Sequence, residues 1–211
     1  DVLISRQGKA FNDLPQGARL GSSSLRRGAQ VRHLRPDIIV CGLRGNLDTR
    51  LKKLETENLD AIILAAAGIT RLGLADRITE YIPASVMLPA IGQGALSIEI
   101  READEATKTL IASLDDRETR VTVETERAFL ARLEGGCQVP IAGRAELVDE
   151  RIEFTGLISE VDGSLLLRKT ASGPVSERKA LGERLAERLL DEGGREILAK
   201  VYGRSAQDVQ G

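Results

Sequence analysis

The chain has 211 residues, 42% of them hydrophobic and 29% charged, which suits one large or two small folded domains. A net charge of -2 and an aromatic content of 2% argue against a broadly cationic nucleic-acid-binding protein and against a surface that stacks single-stranded bases. Two distant cysteines and one histidine argue against a disulfide framework and a zinc site. We therefore expect a cytoplasmic protein with no metal and no nucleic-acid or membrane partner.

The first part of the chain predicts strands that alternate with helices. Strands are expected at 19–20, 38–40 and 60–65, and helices at 24–34, 47–54 and 68–74. The strands are continuous apolar runs between helices, which is typical of a mostly parallel sheet covered on both faces. This part of the sequence therefore predicts an α/β lobe.

The second part of the chain begins with a segment rich in proline and glycine, 83–94, which reads as a crossover leading to a strand at 95–100. Charged helical patterns follow from Asp104 to about Leu133. Beyond the glycine pair at 135–136, strands are expected at 142–148, 152–158 and 165–167, with an Asp-Gly turn at 162–163 before the last of them. Two amphipathic helices follow at 176–190 and 195–202. This pattern predicts a small α+β domain with an antiparallel sheet.

Positive charge is concentrated between residues 19 and 50. Seven arginines against two aspartates give this stretch a charge of +5, and it contains no lysine. Arginine suits two-pronged recognition of carboxylate or phosphate. Arg26 and Arg27 fall in the first turn of a predicted helix behind three serines, where free N–H groups already favour an anion. The alternative is that these arginines, and Arg32 and Arg35 more so, are solvated surface charges.

Arg44 and Arg50 flank the start of the next predicted helix. Loops at the carboxyl ends of neighbouring parallel strands meet at one edge of a sheet, where ligands bind in open α/β folds. Both arginine loops can therefore face one pocket. The sequence contains neither glycine-rich nucleotide-binding motif, so a nucleotide site lacks support.

A cysteine, Cys137, directly follows the glycine pair at the end of a predicted helix. A thiol on such a loop can be exposed and is a candidate for covalent attachment. The only histidine, His33, lies in the basic helix, so an anchor is favoured over a nucleophile with a histidine base. A buried loop cysteine is the alternative, and Cys41, at the end of an apolar run, is expected to be an inert core residue.

Five segments together resemble the porphobilinogen deaminase family. They are Gly21-Ser22-Ser23-Ser24-Leu25-Arg26-Arg27, Leu43 to Leu51 (LRGNLDTRL), Asp60 to Ala65 (DAIILA), Leu88 to Ala95 (LPAIGQGA) and Leu133 to Pro140 (LEGGCQVP). The segments occur in the family's order over nearly the whole chain, which is much more specific than any one of them.

The resemblance implies a periplasmic-binding-protein-like doubly wound α/β lobe and a small C-terminal α+β domain with three antiparallel strands and helices. The implied divisions are an arginine-rich lobe (domain 2) at 1–88, a crossover and return segment of an incomplete domain 1 at 89–116, the C-terminal domain at 117–203 and a tail at 204–211.

The resemblance also implies an activity, hydroxymethylbilane synthesis in haem biosynthesis. Four porphobilinogen molecules are joined head to tail with release of ammonia, on a dipyrromethane cofactor bound through a thioether to the residue matching Cys137. The implied cofactor-binding residues are Ser23, Ser24, Arg26, Arg27 and Arg50. The implied substrate-binding residues are Arg44, Arg50, Arg71 and Gln93.

The chain departs from the family pattern because the first part of domain 1 is absent, and with it the catalytic aspartate. We expect no catalytic residue within this chain, Asp48 being a poor substitute, and no deaminase activity from these residues alone. The intact protein is expected to be a monomer, with possible non-native pairing of the shorter chain. A non-catalytic lobe that binds a small dicarboxylate through the same arginines is the alternative function.

Overall fold

A computed structural model describes residues 1–134 and 139–208, with side chains up to residue 203. Two sheets organise these residues, a five-stranded sheet near the N-terminus and a three-stranded sheet near the C-terminus. The two groups of elements contact one another through α1, the crossover and the second sheet.

The five-stranded sheet is mixed and has the order β3-β2-β4-β1-β5. Its strands are β1 (Val2–Ser5), β2 (Arg19–Gly21), β3 (Ile39–Cys41), β4 (Ala61–Leu64) and β5 (Glu80–Tyr81). Strand β2 is parallel to β3 and β4, whereas β1 is antiparallel to β4 and β5. The three predicted strands are present and parallel to one another, and four of the five strands run in the same direction, as a mostly parallel sheet requires. Strand β1, which was not predicted, runs in the opposite direction.

Helices cover both faces of this sheet. They are α1 (Leu25–Leu34), α2 (Leu47–Thr56) and α3 (Ala66–Arg71), the last of which ends earlier than predicted. Alternation along the strands divides the core: Leu3 and Ile63 pack on one side, and Val2, Ile4 and Ile62 on the other. Burial on both faces explains the unbroken apolar runs.

The crossover has no strand where one was predicted at 95–100, and these residues are irregular. Leu96 is 89% exposed and Ile98 is also exposed. A strand needs a neighbour for its N–H and C=O groups, and within the described residues no strand pairs with this segment. The chain then enters α4 (Glu105–Ile111) and the long helix α5 (Arg117–Arg132).

The C-terminal sheet confirms the prediction of three antiparallel strands with helices, in the order β6-β7-β8. Its elements are β6 (Ile141–Val148), β7 (Arg151–Ser159), β8 (Leu166–Pro174), α6 (Arg178–Leu189) and α7 (Arg195–Asp208). The rings of Phe129 and Phe154 meet edge to face with centroids 5.1 Å apart in its core. None of the helices described has the length and apolar character needed to cross a membrane.

Candidate anion-binding site

The first part of the site is the turn between β2 and α1. Ser22 continues the strand pairing, because its N–H donates to the Cys41 carbonyl at 2.8 Å. Ser24 is the N-cap of α1, and its hydroxyl accepts a hydrogen bond from the Arg27 N–H at 3.4 Å. The predicted start of this helix is therefore confirmed.

The second part is the loop between β3 and α2. The Leu43 N–H donates to the Ser23 hydroxyl at 2.8 Å, which ties this loop to the serine turn. Arg50 lies in the first turns of α2, and its Nε donates to the Gly45 carbonyl at 2.8 Å. Because β2 and β3 are parallel, their carboxyl ends bring the two loops together, as the sequence predicted.

A cavity of about 210 Å³ opens between these loops. It is lined by Ser22, Ser23, Ser24, Arg27, Leu43, Arg50 and Ile63. The lining combines hydroxyl groups with two guanidinium groups at a helix N-terminus. This chemistry favours an anion, and arginine's planar fork favours a carboxylate or phosphate. We call this cavity the serine–arginine pocket.

Arg26 and Arg27 share one carboxylate of the chain itself. Arg26 Nη2 donates to Asp1 Oδ2 at 2.7 Å, and Arg27 donates to Asp1 Oδ1 from Nε at 3.0 Å and from Nη2 at 2.6 Å. The Asp1 side chain is only 2% exposed and that of Arg26 is 6% exposed. Arg26 is therefore not a solvated surface charge, and the arginine pair is held by a buried counterion.

The charge of this cluster follows from its neighbours. Burial, and then the adjacent Arg27, lower the pKa of Arg26 to about 9, whereas the Asp1 carboxylate at 2.7 Å favours the charged form. Guanidinium groups stay protonated at neutral pH. Two guanidinium groups against one carboxylate leave a charge of about +1, to which Arg50 adds across the serine–arginine pocket. The site is thus electropositive and already binds one carboxylate.

Comparison with known proteins bears on this site. Residues 1–109 match the family model described as "Porphobilinogen deaminase, dipyromethane cofactor binding domain", and residues 120–191 match "Porphobilinogen deaminase, C-terminal domain". The chain belongs to the porphobilinogen deaminase family. The resemblance seen in the sequence motifs is confirmed by these matches.

Individual members of the porphobilinogen deaminase family are similar along almost the whole chain. The porphobilinogen deaminase of Syntrophotalea carbinolica is 53% identical over 201 residues, and that of Geobacter metallireducens is 53% identical over 204. These matches cover 95% and 97% of this chain. The chain spans 64% of the length of each of these relatives.

The other residues assigned from the deaminase motifs lie in different places. Arg44 and Arg71 are exposed and do not line the serine–arginine pocket. Gln93 is exposed on the crossover and lines a separate cavity with Asp1 and Glu126. Cys137 lies outside the described residues, so its assignment as the anchor stays a prediction.

Arg32, Arg35 and Cys41 lie outside the serine–arginine pocket. Arg32 donates to the Val161 carbonyl at 3.1 Å, and Arg35 pairs with Asp37 at 2.7 Å and binds backbone carbonyls, so both are structural rather than free surface charges. Cys41 is half-buried, which corrects the expectation of a core residue. Among the described residues, no group of three or more potential metal ligands occurs.

Sequence reasoning missed Asp1 and Gln30. Asp1 is brought to the arginine pair because β1 runs antiparallel to β4, with Val2 opposite Leu64 at the edge where α1 begins. No local pattern specifies that direction. Gln30 had a detectable signal, since it lies four residues after Arg26 on the same helix face.

Proposed function

We propose that the protein acts as a porphobilinogen deaminase, a transferase also called hydroxymethylbilane synthase. The reaction joins four porphobilinogen molecules head to tail, and each condensation forms one carbon–carbon bond and releases one ammonia. Each pyrrole carries an acetate and a propionate, so substrate and product present many carboxylates. Porphobilinogen is therefore the proposed small-molecule substrate.

The observation that carries this proposal is the serine–arginine pocket within the cofactor-binding domain match. Arg27 and Arg50 line it together, and the serine turn adds hydroxyl groups. The neighbouring Asp1 carboxylate supports the fit, because it already forms the kind of paired bonds with Arg26 and Arg27 that pyrrole side arms would form.

The residues present fit a dipyrromethane cofactor. We propose that Cys137 carries it through a thioether and that Ser23, Ser24, Arg27 and Arg50 hold its carboxylates. Arg26, implied by the same motif, has its guanidinium bound to Asp1 and the Leu88 carbonyl, so its proposed role is to support Arg27. Bound in this way, the cofactor supplies the covalent primer from which the product grows. Arg27 and Arg50 are the best placed of this group, because their guanidinium groups share one pocket.

We propose that Arg44, Arg50, Arg71 and Gln93 hold substrate and the growing chain. The exposure of Arg44, Arg71 and Gln93 supports this role, because these side chains are accessible to a bulky oligomer.

For the fold, we propose that the N-terminal lobe is one of two periplasmic-binding-protein-like lobes of the protein. The proposed domain boundaries within this chain fall after residues 88, 116 and 203.

We further propose that the catalytic aspartate is not among these 211 residues, so that they alone form no tetrapyrrole. Exposed Leu96, Ile98, Leu110 and Leu114 support this proposal, because they present an apolar surface of the kind that further polypeptide would cover. The active protein is proposed to be a cytoplasmic monomer. Tetrapyrrole formation by the purified 211-residue chain would contradict the proposed inactivity.

The test of the function is intact-mass spectrometry of the protein extended to the length of its relatives and purified from cells that make porphobilinogen. We expect an adduct with the mass of two pyrrole units. It should be absent after Cys137→Ser and present after the control Cys41→Ser. An active extended protein with an unmodified Cys137 would contradict the anchor, and a protein that binds porphobilinogen without any turnover would indicate a non-catalytic dicarboxylate-binding lobe.

A further inference from the structure

A buried glutamine of α1 binds both backbone groups of one crossover residue. The Leu88 N–H donates to Gln30 Oε1 at 2.8 Å, and Gln30 Nε2 donates back to the Leu88 carbonyl at 3.1 Å. Gln30 is 1% exposed, and Leu88 is also buried. Leu88 belongs to neither a helix nor a strand, so its backbone groups depend on this side chain.

Arg26 binds the same carbonyl. Its Nη1 donates to Leu88 O at 2.5 Å, and Gln30 Nε2 also lies 3.3 Å from the Arg26 carbonyl. One helix face therefore holds Leu88 with three hydrogen bonds from two buried side chains. On the far side, the next residue, Pro89, accepts a hydrogen bond from the Gly143 N–H at 3.1 Å.

This arrangement continues into the serine–arginine pocket. Arg26 Nη2 binds Asp1, and Asp1 binds Arg27, which lines the pocket. An unbroken series of charged or buried hydrogen bonds thus runs from the crossover to the guanidinium group that faces an anion. Hydrogen bonds within such a buried network depend on one another, so a change at one end alters the other.

We propose that Gln30 is a positioning residue of the serine–arginine pocket. By fixing Leu88, Gln30 fixes the carbonyl that orients the Arg26 guanidinium, and Arg26 in turn orients Asp1 and Arg27. The ligand class is a carboxylate-bearing pyrrole, so this inference rests on the proposed function. Binding at Arg27 is thereby coupled to the backbone of the crossover, and the coupling acts equally in both directions.

The experiment uses the 211-residue chain, amide hydrogen exchange followed by NMR, and porphobilinogen as the probe. In Gln30→Met, which preserves side-chain length but removes the two hydrogen bonds to Leu88, we expect the Leu88 amide to exchange about fivefold to tenfold faster. The affinity for porphobilinogen should fall by about fivefold. In the unaltered chain, saturating porphobilinogen should slow Leu88 exchange by a larger factor than exchange at buried strand amides such as Ile63, because ligand binding by itself slows all amides that exchange through global unfolding equally. A purely structural glutamine would give equal factors at the two positions.

The matched control is Ile38→Val, a core change in the same lobe that costs about 1 kcal/mol without touching Leu88. It should speed exchange at Leu88 no more than at other buried amides of the lobe, such as Ile63, and leave porphobilinogen affinity unchanged, whereas Gln30→Met should speed exchange selectively at Leu88. If Gln30→Met does not fold, Gln30→Asn serves instead, because it keeps the amide and the charge of the site but is one methylene too short to reach both backbone groups of Leu88. Leu88 exchange should then be faster and the affinity for porphobilinogen lower.

Unchanged Leu88 exchange in Gln30→Met, or normal affinity once Leu88 is released, would overturn the positioning role. Failure of the proposed function gives a different result, namely no porphobilinogen binding by the unaltered chain. In that case the positioning role is tested by the NMR chemical shift of the Arg27 Nε–H group. A changed chemical shift in Gln30→Met supports the positioning role, and an unchanged one overturns it.

Discussion

The two arginines that follow Leu25 differ in what surrounds them. Arg26 is buried and binds both Asp1 and the Leu88 carbonyl, whereas Arg27 binds Asp1 and also faces the serine–arginine pocket. A buried charge that loses its partner costs far more than a partly exposed one. Arg26 therefore holds the surrounding backbone and Asp1 in place, whereas Arg27 is the member of the pair that faces a ligand in the pocket.

Because of this difference, alanine substitutions at the two positions should differ in their effects on stability and on porphobilinogen binding. Arg26→Ala should lower the free energy of unfolding by about 3 kcal/mol, because it leaves Asp1 half-paired and the Leu88 carbonyl with one donor fewer. Arg27→Ala should lower it by about 2 kcal/mol, because it removes two of the three hydrogen bonds to the buried Asp1 carboxylate but leaves the Leu88 carbonyl bound. It should also weaken porphobilinogen binding at least as much as Gln30→Met. Urea denaturation and binding titrations on both variants measure the two effects. Equal destabilisation by the two substitutions would show that burial does not separate their roles.

Glu126 is a second buried charge, on α5. Its carboxylate accepts hydrogen bonds from the Gly92 N–H at 2.6 Å and the Ala145 N–H at 2.9 Å, which joins the crossover to the C-terminal sheet. Burial raises its pKa above the usual 4.5, although the two backbone bonds and Arg144 oppose the rise.

The raised pKa of Glu126 predicts a pH dependence. Between 4.5 and the raised pKa, the folded protein holds more protons than the unfolded chain, so its stability falls as pH rises through that window. Glu126→Gln removes the titration, so the stability difference between variant and parent should change across the window and be flat above it. Denaturation of both proteins at several pH values measures this. A constant difference from pH 4 upward would show that the Glu126 pKa is not shifted.

At the scale of the elements, α5 and α6 pack so closely that a glycine is required between them. A Cβ built on Gly182 would lie 2.3 Å from the Thr125 carbonyl and 2.9 Å from the Phe129 nitrogen. Backbone atoms of a buried helix cannot move aside as a flexible side chain can. This contact sets the spacing of the two helices that cover the C-terminal sheet.

Gly182→Ala should therefore destabilise the protein by about 1–3 kcal/mol, despite alanine's higher helix propensity. The control is Gly68→Ala in α3, where a Cβ would meet nothing within 4 Å. That substitution should stabilise the protein by about 0.5–1 kcal/mol through propensity alone. Thermal unfolding of the two variants distinguishes the effects, and stabilisation by both would mean that the helices can separate without cost.

Local patterns predicted most of these elements, and long-range pairing explains what they missed. The runs around Leu20 and Ile62 and the Asp162-Gly163 turn carried clear signals, and the serine turn was placed correctly at the start of α1. Strand β1 and the loss of the strand at 95–100 depend instead on which partner is present. Strand direction and partnership are not encoded in the periodicity of one segment.

The candidate site shows the same division. Ser24, Arg27 and Arg50 were found because capping and strand-end loops are local rules that place them together. The burial of Arg26 was not predicted, because its counterion, Asp1, is 25 residues away in the sequence and its carbonyl partner, Leu88, is 62 residues away. Charge clusters therefore indicated a candidate site, whereas the contacts of each residue within it depend on the fold.

At the scale of the whole molecule, the β7–β8 turn holds the C-terminal domain against the lobe. Gly163, at φ +76°, lies on α1, where its carbonyl is 3.1 Å from His33 Nδ1, and Arg32 binds the Val161 carbonyl beside it. A Cβ at Gly163 would lie 2.6 Å from the Ala29 carbonyl oxygen and 2.8 Å from the backbone nitrogen of His33. The close approach therefore depends on glycine.

We predict that Gly163→Ala separates the unfolding of the two parts. The control is Gly17→Ala, which has a similar φ of +73° but meets nothing within 4 Å, so it carries the backbone strain without the collision. In both variants, backbone strain should lower the free energy of unfolding by about 1 kcal/mol. Only Gly163→Ala should also release the turn from α1. Its lobe and C-terminal domain should then melt in separate calorimetric transitions, because cooperative unfolding requires the contact between them. A single transition in both variants would show that the crossover contacts at Gly92 and Pro89 suffice to couple the parts.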